Sequence, residues 1–300
     1  MKLSKSFIGL VTVSTIFMLY ASGLYTNLQS DSALEIVDFS IAKPASEKNI
    51  PSNPDRVPLY GDLHVHTKYS FDAYIFGVTA TPYDAYKYAI GEAIKHPLGF
   101  DMKLKEPLDF YAVTDHGFYM GMIENYADTS SEMSKNEWTK PVHNLNRPEN
   151  VTVESLGARA NLFSSVLTQA IIKPYPYWHP KVWKAWLTNN IQVALQSFDY
   201  DVHKSAWADV ANAAEEFNDP GNFTTFIGYE FTTSTDVEGG NLHRNVIFDS
   251  SKAPIRPWTR IDSLNPEDLW TWMDGLRDQG VDSLAMPHNS NGSNGQMFEV

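Results

Sequence analysis

His64 and His66, in the run Tyr60-Gly-Asp-Leu-His-Val-His-Thr67, stand two positions apart in a short apolar stretch. Residues i and i+2 of an extended strand point the same way, so both imidazoles can grip one ion. Imidazole is a preferred neutral nitrogen ligand for zinc, iron and manganese class ions, whereas Leu or Met would fill a position that needs only packing. Further candidates recur along the chain. Asp72 follows His66 by six residues, Asp115-His116 closes the apolar residues 108–114, and Glu230 follows Phe226-Ile-Gly-Tyr229. His243 precedes the apolar residues 245–248, and His288 follows residues 281–286. Taken singly, a His beside an apolar run reads as a hydrogen-bonded structural residue. Taken together, ligands gathered from the ends of many strands are what a barrel active site requires.

The elements that position these residues follow from periodicity and breakers. Thr81 suits an N-cap and Pro82 a first helical position for a helix over residues 82–94. Helical spacing predicts a helix over residues 153–172, and another carrying Trp183, Trp186, Leu187, Ile191 and Leu195. Two more are predicted: residues 204–217 with Trp207, Val210, Ala211 and Ala214 inward, and a helix from Pro266 with Trp270, Met273 and Leu276 inward. Strands are expected before Thr67 and Asp115 and at residues 225–230, 245–249 and 284–286. Strands alternating with helices indicate a mostly parallel sheet or a barrel. Residues 117–150 lack a core period and read as a lid or surface insertion. Residues 24–56, broken by Pro44, Pro51 and Pro54, read as a polar leader, either a linker or a strip lying over a domain spanning residues 57–300.

Composition bounds the function. Apolar residues make up 43% and aromatics 13% of 300 residues, enough for a substantial core. A net charge of −13 argues against a nucleic-acid surface, which needs Lys and Arg to neutralise phosphates. It leaves room for a small, phosphorylated substrate, because bound divalent cations reverse the local field. With no Cys, thiolate catalysis, cysteine ligation and disulfides are excluded. Lys2 and Lys5 precede the apolar residues 7–21 and then Ser22-Gly23, the order of a secretory signal. Residues 1–23 therefore read as a cleaved signal peptide or an uncleaved anchor, with the remainder exported: periplasmic, secreted, or held outward at a membrane touched only by that segment.

Five runs occur in the order seen in one family: Gly61-Asp-Leu-His-Val-His-Thr-Lys-Tyr-Ser70 with Asp72, Ala112-Val-Thr-Asp-His-Gly117, Gly228-Tyr-Glu230, Asn241-Leu-His-Arg-Asn245 and Met286-Pro-His-Asn289. Together they resemble the PHP (polymerase and histidinol phosphatase) superfamily of metallohydrolases, and its DUF3604 branch more closely. The resemblance implies a distorted (β/α)7 barrel with two or three divalent transition-metal ions (Zn, Mn or Fe) at the strand ends. It puts His64 and His66 on one metal, Glu230 between that metal and a second, and His243 and His288 on the second. Asp72 and His116 match the holders of a third. The family's late Asp-x-His pair does not follow His288, so the domain reads as incomplete at its C-terminus.

A carboxylate can bridge two cations about 3.5–4 Å apart, whereas an imidazole nitrogen engages one. Asp62 and Asp115 are placed either to accept a ligand imidazole's remaining N–H and raise its basicity or simply to hydrogen-bond at a strand end. Arg244, adjacent to His243, faces either a salt bridge behind the sheet or the substrate, and Asn289 is a second possible substrate contact. His143, His179 and His203 have no partner at a meaningful spacing and read as non-ligands, with His203, ahead of a helix, placed to line a pocket instead. The expected function is a metal-dependent hydrolase, a phosphoesterase using a metal-bound hydroxide with Glu230, His64 and His66 at its centre. Two alternatives stay open: an exported non-catalytic binding or surface protein, and a metal-dependent amide, cyclic ester or sulfate ester hydrolase.

Overall fold

The structure, a computed structural model, describes residues 33–42, 57–169, 198–233, 240–263 and 265–298. The predicted signal or anchor, the helix around Trp183 and His179 lie outside these residues. Among the described residues, no helix is long and apolar enough to cross a membrane.

Two three-stranded sheets carry the site. In the first, β2 (Gly61–Val65), β5 (Phe110–Val113) and β6 (Thr224–Thr225) run parallel in the order β2-β5-β6. In the second, β7 (Gly228–Phe231), β8 (Arg244–Phe248) and β10 (Ser283–Pro287) run antiparallel with β8 central. A parallel bridge between His116 and Glu230 joins the end of the first sheet to the second. The Asn245 side-chain amide spans back to β2, donating to the Leu63 carbonyl at 2.7 Å. Two two-stranded pairs complete the set: β3 (Ile94–Lys95) with β4 (Asp101–Met102), and β1 (Ile36–Asp38) with β9 (Lys252–Pro254).

This is a mixed α/β fold, and the expected (β/α)7 barrel is not what forms. Among the described residues no sheet closes on itself. A parallel barrel needs a crossover between every neighbouring pair of strands, but β7, β8 and β10 pair antiparallel.

Local chemistry explains where the helices begin. Helix α2 (Pro82–Ala89), which follows the short α1 (Phe71–Ile75), starts from a capping box: the Asp84 N–H donates to Thr81 Oγ1 at 3.1 Å, and the Thr81 N–H donates to Asp84 Oδ2 at 3.0 Å. It ends earlier than its periodicity suggests, because Gly91 takes a left-handed φ of +81° and Ile94 enters β3. A 3-10 turn, Val153–Ser155, runs into α4 (Leu156–Gln169), which follows α3 (Met122–Ala127). Asp199 caps α5 (Tyr200–Phe217), which buries Trp207, Val210, Ala211 and Ala214 as its spacing indicates. Asn265 caps α6 (Pro266–Arg277). Its inward face is Leu269, Trp272, Met273 and Leu276, whereas Trp270, expected inward, is 39% exposed.

Two clusters form the core. The larger joins α2, α5 and α6 to the faces of both sheets. The smaller contains Phe71, Ile75, Phe118, Tyr119, Met122, Ile123, Tyr126 and Val142. Much of the stretch expected to be a lid or surface insertion is therefore core, with α3 too short to display a helical period. Part of the leader lies over the domain: Ile36–Asp38 pairs with β9, and the Trp272 indole donates to the Ala33 carbonyl at 2.7 Å.

Gly61 opens β2 where a Cβ would stand 2.2 Å from the Phe110 carbonyl oxygen. Gly61→Ala must therefore push β2 from β5. It is expected to cost about 1–3 kcal/mol, the usual range for overpacking, read as a lower urea unfolding midpoint. An unchanged midpoint would contradict this packing.

Candidate metal centre

The bridge between the sheets brings the strand ends together. His64 is on β2 and His66 follows it, Asp72 lies in the first turn of α1, and His116 follows β5. Glu230 is within β7, His243 precedes β8, and His288 follows β10. Five of the candidates converge on a sixth, Glu230, and the seventh, Asp72, joins them through His116. Glu230 is 1% exposed, and five imidazoles divide between its two oxygens. Oε1 faces His243 Nδ1 at 2.7 Å and His288 Nε2 at 3.2 Å. Oε2 faces His64 Nε2 at 3.5 Å, His66 Nε2 at 3.2 Å and His116 Nδ1 at 3.2 Å. The second ring nitrogen of His116 reaches Asp72 Oδ2 at 3.2 Å.

Three overlapping groups can each hold a metal ion: His64, His66 and Glu230; His66, Asp72 and His116; His116, Glu230 and His243. His288 stands beside them without completing a further group. The donor set fits a cation for a specific reason. Both Glu230 oxygens and both His288 nitrogens are buried without a hydrogen bond of normal geometry, although nitrogen and oxygen lone pairs crowd together there. Buried polar atoms left in this state are costly, and cations bound there would take both Glu230 oxygens and the His288 Nε2 that faces them.

Burial pushes the Glu230 carboxyl up. The His116 charge and the approach of His243, His288 and His64 outweigh it and hold the group well below the carboxylate range. Burial likewise lifts Asp72, yet His116 brings it below its ordinary value. His66 is held down by burial but raised overall by Glu230, Asp115 and Asp72, while for His243 burial wins and lowers it.

Ser70 is a further part of the site, which its residue type alone does not announce. Asp115 is fully buried and accepts from the Thr67 N–H and hydroxyl, both at 2.6 Å, and from the Ser70 hydroxyl at 2.7 Å. Asp115 thus acts through Ser70 rather than touching an imidazole. Ser70 Oγ lies 2.7 Å from His66 Nδ1 and accepts the His116 N–H at 3.0 Å. With its own proton committed to Asp115, Ser70 must accept from His66 Nδ1, which leaves the Nε2 lone pair facing Glu230. Thr232 Oγ1 bonds His116 Nδ1. A Ser four residues after a ligand His was the available signal for the first, and a Thr two residues after Glu230 for the second. Ser70→Ala is expected to weaken metal affinity about 10–100-fold, the usual effect of removing an outer partner of a ligand, measured by chelator competition. Unchanged affinity would contradict the relay.

The remaining candidates are more peripheral. Asp62 is exposed and accepts the His64 backbone N–H at 2.9 Å. Arg244 is buried and forms no ion pair among the described residues. It donates to the Leu242 carbonyl at 2.8 and 3.0 Å and lies 4.9 Å over the Trp270 ring. Burial pushes its pKa down to about 10. Asn289 is exposed, adopts a left-handed φ of 58°, and accepts the Gly292 N–H at 2.9 Å through its carbonyl. His143 Nε2 lies 3.0 Å from the Ser134 carbonyl, and His203 is sealed within α5 packing.

No curated protein and no solved structure matches the chain. Residues 53–300, which carry every ligand candidate above, match the family described as "Protein of unknown function (DUF3604)", and the chain belongs to that family.

Proposed function

We propose that this protein is an exported metal-dependent hydrolase, related to the PHP metallohydrolases, that cleaves phosphoesters with two or three divalent Zn, Mn or Fe ions. The observation that carries the reading is the division of imidazoles about Glu230: His243 and His288 on one oxygen, His64, His66 and His116 on the other. One buried anion set between two groups of imidazoles offsets the repulsion of two closely spaced cations. When bound, such cations supply an activated water at neutral pH and polarise a phosphoryl oxygen. Glu230 holds the two sides together, Asp72 adds a second negative charge beside His116, and Ser70 fixes the tautomer of His66. Export rests on Lys2, Lys5 and the apolar residues 7–21.

The test is steady-state kinetics on a panel of phosphomonoesters and phosphodiesters, with sulfate esters and amides as controls and metal content measured alongside. Phosphoester turnover should vanish with a chelator and return with Zn, Mn or Fe. Activity confined to amides or sulfate esters would keep the metal centre and overturn the phosphoester assignment. Bound metal without turnover of any substrate would favour a binding protein.

A further inference from the structure

Four arginines are buried among the described residues: Arg159, Arg244, Arg256 and Arg260. Three have protein acceptors. Arg159 donates to the carbonyls of Ile75, Leu145 and Asn150 and to the side chains of Asn146 and Ser155. Arg256 forms a two-pronged pair with Asp262, at 2.7 and 2.9 Å. Arg244 donates to Leu242. Arg260, only 6% exposed, donates no hydrogen bond and meets no carboxylate among the described residues. Among the described residues its specific contact is the Phe118 ring, 5.0 Å from the guanidinium carbon. Burial lowers its pKa and no acid opposes that effect.

Two buried rings, Phe71 and Phe118, stand between it and the metal centre. The His116 ring lies 4.9 Å from Phe71, which lies 5.7 Å from Phe118, whose ring the guanidinium covers. Thr259, the preceding residue, stands 3.2 Å from where a Cβ on Gly117 would be, so the chain entering Arg260 packs on the residue after His116. None of its nitrogens is among the buried unpaired atoms, so the guanidinium reaches the surface with no acceptor from the described residues, and its planar fork matches the two oxygens of an oxyanion.

We infer that Arg260 is a specificity-determining residue that binds an oxyanionic group carried by the substrate away from the bond that is cut. The inference rests on the hydrolase reading and narrows its substrate class to esters bearing a second anionic group. A carboxylate and a phosphate share the chemistry the fork recognises.

The full-length, metal-replete chain is tested in two ways. Kinetics compare phenyl phosphate with aryl phosphates bearing a carboxylate or a second phosphate on a flexible tail. Arg260→Gln should raise KM for the tailed esters at least tenfold, leaving their kcat and the KM of phenyl phosphate unchanged. The tail with the larger change names the preferred oxyanion. An equal change for tailed and untailed esters, or none, would overturn the inference. Calorimetric titration with inorganic sulfate needs no turnover. Wild type should bind sulfate, and Arg260→Gln should lose that binding at equal metal content. Arg260→Lys, which keeps the charge but not the fork, should weaken it and serves if the glutamine variant does not fold. Equal sulfate affinity in wild type and variants would overturn the inference. Sulfate binding that depends on Arg260 in a protein that cleaves no phosphoester would uphold the oxyanion site while the phosphoesterase reading fails.

Discussion

Glu230→Gln is expected to lower metal affinity by more than about 100-fold, beyond the usual effect of removing an outer partner of a ligand, and to abolish metal-dependent turnover with it. Glutamine keeps nearly the same volume, so the β7–β8 packing should persist. What changes is charge and symmetry. The carboxylate presents an acceptor to the imidazoles on each side, whereas an amide offers one oxygen and one donor NH2. One side of the centre must lose its anionic oxygen whichever way the amide turns. Arg244→Ala should have a much smaller effect on turnover, because that guanidinium is engaged by Leu242 and Trp270. Metal content by elemental analysis, with kcat/KM for each variant, checks both. Wild-type occupancy in Glu230→Gln would remove Glu230 from the bridge.

The second large effect concerns pH and lies outside the metal centre. His203 is fully buried in α5, and no hydrogen bond of normal geometry reaches its ring nitrogens. Burial, reinforced by the charges of Arg256 and Lys204 and opposed only by the Met120 backbone, pushes its pKa down to about 3 from an ordinary value of 6.5. The folded state therefore holds it neutral while the unfolded chain takes up a proton below 6.5. Its stabilising contribution is complete above pH 6.5 and is lost as pH falls from 6.5 toward 3. The slope is about 1.4 kcal/mol per pH unit, up to roughly 5 kcal/mol in all. His203→Leu replaces the ring with an apolar side chain of similar size. It should unfold near the wild-type midpoint or above it at pH 7 and should lose less stability on acidification. Urea unfolding at intervals from pH 7 to 3 measures the difference. Parallel pH curves for the two proteins would refute the assignment.

The site was far more legible than the architecture. His64, His66, His116, Glu230, His243 and His288 announce themselves because ligand chemistry is local and each adjoins a short apolar strand. Asp72 is legible through its nearness to His66. The arrangement of strands is not local. Nothing within residues 228–231, 244–248 or 283–287 dictates that they pair antiparallel, and that pairing replaces the expected barrel with separate small sheets. On α6, Met273 and Leu276 face inward as expected but Trp270 does not, because Trp270 and Trp272 are both large and apolar and only tertiary packing of Trp272, on Ala33, Tyr229, Phe248 and Trp258, distinguishes them. Met122, Ile123 and Tyr126 do not announce themselves as core because a six-residue helix shows less than two turns of period. Ser70 was hidden for a different reason. A hydroxyl between Asp115 and His66 looks like any other Ser until the distances are known.

The central claim is that Glu230 joins cations held on its two sides. Anomalous diffraction from crystals of the metal-replete protein, collected across the absorption edge of the bound ion, tests it most directly. Separate peaks are expected on either side of the Glu230 carboxylate, one against His64 and His66 and one against His243 and His288, each about 2.0–2.2 Å from its ligand atoms. A map with no peak within bonding distance of Glu230, or with metal bound only at other residues, would contradict it.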